Sequence, residues 1–205
     1  MNIRTLPLVG LYLLAASFLL YAADMSAKDY ADKYYDEFSK PQDDGISYLM
    51  GRFHSEVPAS MQTEVLDQVL DRAASAEPKK NYRAMDVVFK YLQNFGQDLT
   101  LTPQIDSNLY ALAKDSNWMT RRDVLQVVRA LGRTKDHDLI VAALNDPSEE
   151  VRGAALNALR GRPDAEAAYQ KFIQDHQSDP NYATSVQYAK GGLEAIHEAQ
   201  KNTGK

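Results

Sequence analysis

Cysteine is missing from this chain, and with it go disulfide frameworks, thiolate zinc sites, cysteine nucleophiles and a lipidated N-terminal cysteine. Glycine is sparse, 10 residues in 205, and none stands in a Gly-x-Gly-x-x-Gly run or ahead of Lys-Ser/Thr, so the phosphate-cradling loops of nucleotide-binding proteins are lacking. Basic residues are outnumbered, 23 against 28 acidic ones, for a formal charge of −5 at pH 7. A protein that neutralises a phosphate backbone needs clustered cationic surplus, which excludes nucleic acid as the main partner. The four histidines, His54, His137, His176 and His197, are scattered and form neither His-Glu-x-x-His nor His-x-x-x-His, and no Gly-x-Ser-x-Gly elbow is present. No catalytic centre, metal site or cofactor is expected.

What remains is ordinary globular material, 44% apolar and 25% charged. Thr5 to Ala23 is a run of 19 residues without a charge, preceded by Arg4. That length fits either an uncleaved membrane anchor or a cleaved signal peptide, and no clean Ala-x-Ala cleavage site decides between them. Arg4 on the N-terminal side places the remainder outside the cytoplasm in both cases, membrane-anchored or, after cleavage, periplasmic or secreted. Residues 24–58 follow as an acidic helical linker or N-terminal cap. Tyr30, Tyr34 and Phe38 recur every four residues in it, which puts three rings on one helical face suited to packing on the next helix or to holding a partner.

From Ile46 onward apolar residues recur at three and four, as in Val65, Leu66, Val69 and Leu70 or Ile105, Leu109 and Leu112, and no alternating strand pattern competes. Short breaks at Asp115 to Asn117, Asp146 to Ser148, Gly161 to Pro163 and Ser178 to Asn181 predict helices that double back on their neighbours. Three segments align without gaps: Glu77 to Arg83, Asp115 to Arg121 and Asp146 to Arg152, with an acid six residues before an arginine each time. The arginines stand 38 and 31 residues apart, within the period of stacked helix pairs. A fourth copy at Asp179-Pro180 has Ser185 in the arginine position, as a terminal cap would. The acid suits a helix start, and an arginine one turn into the helix reaches the acid of its own or the adjacent copy. Glu77, Arg83, Asp115, Arg121, Asp146 and Arg152 are therefore expected to form a structural ladder.

The stretch Leu144-Asn145-Asp146-Pro147-Ser148-Glu149-Glu150-Val151-Arg152-Gly153-Ala154-Ala155-Leu156-Asn157-Ala158-Leu159 closely resembles a HEAT repeat, of the short type also seen in phycobilisome-lyase-like proteins. The resemblance covers roughly Met61 to Gln200, the first and last copies being inferred from spacing. It implies an all-α chain: a short right-handed α-solenoid of stacked antiparallel helix pairs over residues 59–200, preceded by the N-terminal hydrophobic helix (1–23) and ending in a frayed tail (201–205). It also implies that the second helix of each pair lines a concave face used for protein contacts, and it does not imply lyase activity.

One charge asymmetry stands out. Lys114, Arg121, Arg122, Arg129, Arg133 and Lys135 face only Asp115 and Asp123 in the same stretch. Spacings of seven and four place Arg122, Arg129 and Arg133 on one helix face; Arg160 extends the basic character into the next copy. These four are the candidate partner-binding residues, either a solvated face or a dock for an acidic protein segment, an anionic headgroup or the chain's own acidic stretch. Trp118 is expected in the core, and Gly191-Gly192 at a kink or a close helix approach. The functional expectation is an exported, non-catalytic protein-binding module, with an envelope enzyme or its accessory subunit and a plain structural spacer as alternatives.

Overall fold

The computed structural model describes residues 25–40, 45–75 and 81–203. The leader (1–23), the turn after Lys40 and the expected ladder acid Glu77 lie outside the described residues. Among the described residues, ten α-helices carry the fold: α1 (Ala27–Ser39), α2 (Gly45–Glu56), α3 (Ala59–Ser75), α4 (Tyr82–Phe95), α5 (Pro103–Leu112), α6 (Trp118–Leu131), α7 (His137–Ala143), α8 (Glu149–Leu159), α9 (Ala165–His176) and α10 (Ala183–Thr203). Short 3₁₀ turns occupy Gly96–Asp98, Thr134–Asp136 and Pro180–Tyr182, and no strand occurs among the described residues. No helix there is long and apolar enough to cross a membrane.

Side chains set most helix starts, because the first N–H groups of a helix lack intrahelical partners. Ser26 and Asp29 form a reciprocal capping box ahead of α1. Asn81 accepts from the Ala84 N–H at 3.1 Å, Thr102 from Ile105 at 3.1 Å with Pro103 at the first helical position, and Asn117 from Met119 at 3.0 Å. Each suits a residue whose short polar side chain competes poorly inside a helix and well at its edge. After α6, Gly132 takes φ +64°, a left-handed conformation that ends the helix at little steric cost.

The apolar faces read from the sequence are the buried ones. Val65, Leu66, Val69 and Leu70 of α3, and Ile105 and Leu109 of α5, are all fully buried. Tyr30, Tyr34 and Phe38 are buried as well, so the ring stripe of α1 joins the same core as the later helices. Tyr34 sits 5.0 Å edge-on from Phe53, which in turn meets Tyr91 at 4.9 Å. The Tyr34 hydroxyl donates to Glu56 at 2.9 Å, where Lys33 and Arg52 also converge. Partial burial opposes the Glu56 charge, but those three donors prevail and hold its carboxyl down at about 2.

The helices pack in chain order. Helices α4, α6, α8 and α10 form one row, each against the next; α1, α3 and α5 form the beginning of another. Chain-adjacent contacts α3 with α4, α5 with α6, α7 with α8 and α9 with α10 join the rows. Between α5 and α7 lies a groove of about 500 Å³ floored by Leu125 and Val151, and between α7 and α9 a smaller one of about 260 Å³. In the second half of the chain the outer helices α5, α7 and α9 therefore stand apart, whereas α4, α6, α8 and α10 touch in succession.

The glycine pair in α10 behaves asymmetrically. The helix runs unbroken through both residues. A methyl on Gly192 would lie 2.8 Å from Cζ of Tyr169, a ring of α9 fixed by its hydroxyl donating to the Leu156 carbonyl, whereas a methyl on Gly191 would meet nothing. Of the two sequence expectations the close approach is the one present, and it belongs to Gly192 alone. Gly192→Ala should therefore cost about 1–3 kcal/mol by overpacking, while Gly191→Ala should stabilise by up to about 1 kcal/mol through helix propensity. Urea midpoints of the two variants moving in opposite directions are the expected result.

Candidate functional site

The repeated acid and arginine build the frame on which any site must rest. Asp115, Asp146 and Asp179 each accept from the backbone N–H two residues on, at 2.8, 2.8 and 2.9 Å, turning the chain into the following helix in the same way each time. Arg121 donates back to the Asp115 and Ser116 carbonyls and forward, with two nitrogens at 2.7 Å, to both carboxylate oxygens of Asp146. Arg152 repeats the backward grip on the Asp146 and Pro147 carbonyls. Forward, it meets the Ser185 hydroxyl at 3.1 Å and the Asn181 carbonyl at 2.9 Å, with the Tyr182 ring 4.5 Å away. Ser185, the residue in the arginine position of the last copy, is thus the acceptor that ends the ladder, and both it and Arg152 are buried. Arg83 departs from the pattern: it donates to the Lys40 carbonyl of the segment after α1 at 2.7 Å. Burial raises the pKa of Asp146, but Arg121 and the Ser148 N–H outweigh it and hold the carboxyl below the ordinary range.

On the exposed side of the row α4, α6, α8 and α10 a polar groove of about 820 Å³ opens. Arg122 and Arg129 project into it with Gln126 from α6, opposite Gln93 and Asn94 of α4, Glu150 and Asn157 of α8 and Tyr188 of α10. Arg122 is paired with Asp123 at 2.7 Å and lies 5.3 Å over the Trp118 ring. Arg129 is exposed, with no ion-pair partner among the described residues. Arg122 also lines an adjoining notch of about 310 Å³ with Tyr82, Met85 and Met119.

Three sequence expectations need correction here. Trp118 is not in the core: as the first residue of α6 it has no preceding turn to pack against, and it is 36% exposed beside Tyr82 and Met119, at 44% and 47%. Arg133 does not share the face of Arg122 and Arg129, because Gly132 ends the helix before it. It turns instead into a cluster with Asp136 at 2.9 Å and Asp106 at 2.5 Å, where Lys135 also reaches Asp106 and the Tyr110 hydroxyl donates to Asp136 at 2.8 Å. Asp136 is wholly buried, and this cluster joining α5 to the end of α6 had no signal beyond an Arg-x-x-Asp spacing. Arg160 caps the C-terminal end of α8, exposed but away from the groove.

The histidines are dispersed. His137 meets Asp164 at 2.5 Å, His176 stacks on Tyr182 with centroids 4.0 Å apart, His197 reaches Glu166 at 3.2 Å, and His54 stacks on Phe95 at 4.7 Å. Among the described residues no group of His, Asp and Glu is placed to hold a metal ion. The guanidinium groups of Arg122 and Arg129 and the row of carboxamides suit hydrogen bonding and charge pairing. No protein-family model matches this chain, and no curated protein matches it.

The ladder makes a prediction of its own. Side chains of Arg121 and Asp146 are only 13% and 10% exposed, so Arg121→Ala should strand a buried carboxylate and cost about 3 kcal/mol near neutrality. A carboxyl whose folded pKa is lowered stabilises the fold above its unfolded value, 3.8, and loses that contribution as pH falls through the folded one. The stability gap between wild type and variant should accordingly narrow on acidification, which urea titrations at neutral and acid pH will check.

Proposed function

We propose that this chain is an exported, HEAT-like α-solenoid that binds another protein on the side formed by α4, α6, α8 and α10, without catalysis. Four chain-adjacent helix pairs, the row of second helices in succession, the Arg121–Asp146 link between copies and the backward carbonyl grip shared by Arg121 and Arg152 support the solenoid reading. The gaps that separate α5, α7 and α9, beside a row of α4, α6, α8 and α10 in direct succession, support reading that row as the concave side. The leader of residues 1–23 supports export, with the folded part held at or released from the membrane surface.

The observation that carries the binding proposal is the concentration of Trp118, Met119, Tyr82, Tyr188, Arg122 and Arg129 along this one row. Tryptophan, tyrosine, methionine and arginine are the residue types enriched where proteins bind, and exposed large apolar side chains gathered in one place mark contact surfaces. Arg122 is already balanced by Asp123, so Arg129 supplies the free charge that orients an acidic partner segment.

A photo-crosslinking residue placed at Gln126 in intact cells should give one discrete protein adduct, and the same residue at Gln104 on α5 should not. Arg129→Glu should abolish the adduct more completely than Arg122→Glu. Equal labelling from both positions, or an adduct indifferent to Arg129, would reject this face as the binding site.

A further inference from the structure

The groove along α4, α6, α8 and α10 is unusual in what lines it. Its polar groups are mostly carboxamides, and several of them are unspent. Gln126 and Asn157 make no side-chain hydrogen bond among the described residues, and Nε2 of Gln93 is buried without an acceptor while its oxygen takes Lys90 at 3.4 Å. Gln97 donates to the Ala130 carbonyl, which leaves its oxygen open toward the groove. Between these amides the floor is made of Ala130, Gly153 and Ala154, and a methyl built on Gly153 would meet nothing within 4 Å.

A carboxamide offers an acceptor oxygen and an NH2 with two donors in one plane, so it can match both the C=O and the N–H of a peptide unit. A buried amide without a partner, as at Nε2 of Gln93, is costly unless water or a ligand supplies one, and the half-buried amides beside it are free to exchange water for a ligand. A small-residue floor lets a backbone approach closely where bulky side chains would hold it off. Four helices side by side at about 9 Å spacing span about 27 Å, the reach of roughly eight residues of extended chain at about 3.3 Å each. The charge is uneven as well: Glu150 keeps its negative charge at the end of the groove nearer Arg122, and Arg122 is paired with Asp123, so the cation without an ion-pair partner among the described residues is Arg129 near the middle of the row.

The geometry points to an extended peptide segment of the partner protein as the occupant of this groove, its main chain held by Gln93, Gln126 and Asn157 and one Asp or Glu side chain held by Arg129. This rests on the protein-binding reading above and specifies the form of the ligand. Reading through main-chain groups sets the direction and length of the bound segment, and the single arginine fixes its register.

The test uses the full-length chain in detergent micelles and a displayed library of random twelve-residue peptides. Retained peptides should share one acidic residue and no other fixed side chain. Against such a peptide, Arg129→Glu should weaken binding at least tenfold, the scale of one charge-assisted hydrogen bond, and replacing the acidic residue of the peptide by lysine should restore it. Gln126→Ala with Asn157→Ala should weaken it similarly, as should N-methylation of alternate main-chain amides of the peptide. Circular dichroism melts should stay unchanged, these side chains being at the surface of the groove. Retention of peptides with a fixed apolar motif, or indifference to both Arg129 and main-chain methylation, would overturn the inference. A Gln126 crosslink to a partner in cells without retention of any acidic peptide would overturn it while leaving the protein-binding reading in place; loss of both would overturn both.

Discussion

Asp146 is the point on which the spacing of the helices depends. Its carboxylate turns the chain into α8 through the Ser148 N–H and takes both forward nitrogens of Arg121, while its carbonyl receives Arg152. One residue thereby ties the end of α7 and the start of α8 to α6, and through Arg152 to the head of α10. A half-buried ion pair of this kind costs desolvation and contributes net stability only when its donors and acceptors are filled. The two backbone carbonyls below each arginine meet that condition. Ser185 meets it at the end, its hydroxyl taking the Arg152 guanidinium from the position that holds an arginine in the earlier copies.

From that frame an asymmetry between the two sides of the molecule follows. Helices α4, α6 and α8 bury most of their apolar residues, including Val87, Val88, Val124, Val127, Val128, Ala155 and Leu159. Helix α7, only seven residues long, contributes Ile140 alone to the fully buried core. The row of α4, α6, α8 and α10 is therefore the well-supported layer, and side chains on its exposed face are displayed from backbone that does not need to rearrange. A surface fixed in advance loses less entropy when it engages a ligand than a loop would.

Much of this was legible in one dimension, for physical reasons that differ by residue. The turns at Asp115 and Asp146 could be read because an acid followed by a capping residue has a local cost and reward independent of the rest of the chain. The apolar registers of α3 and α5 could be read because burial is periodic with the helix. Arg133 was misplaced because spacing was extended one residue past Gly132, although a glycine after the last apolar residue is itself a stop signal. The burial of Asp136 could not be read at all, since it arises from Tyr110 and Asp106 arriving from another helix. Trp118 misled for the opposite reason: residue type argued for the core, and position at the first turn of α6, with Arg122 four residues on to cover its ring, argued against it.

Under the proposed reading, the two halves of the exposed row would divide the work of recognition. At the N-terminal ends of α4 and α6, Tyr82, Trp118 and Met119 offer apolar area whose burial contributes about 25 cal/mol per Å² and is indifferent to direction. Further along, carboxamides contribute little net free energy per hydrogen bond, because water competes for the same groups, but they penalise any ligand that leaves them unmatched. Arg122, stacked on Trp118 and held by Asp123, stands between the two and is already ordered. A segment lying along the row would thus gain affinity from the aromatic notch and alignment from the amide groove. Neither element alone would do both, since an apolar notch accepts many shapes and an amide groove binds weakly without an anchor.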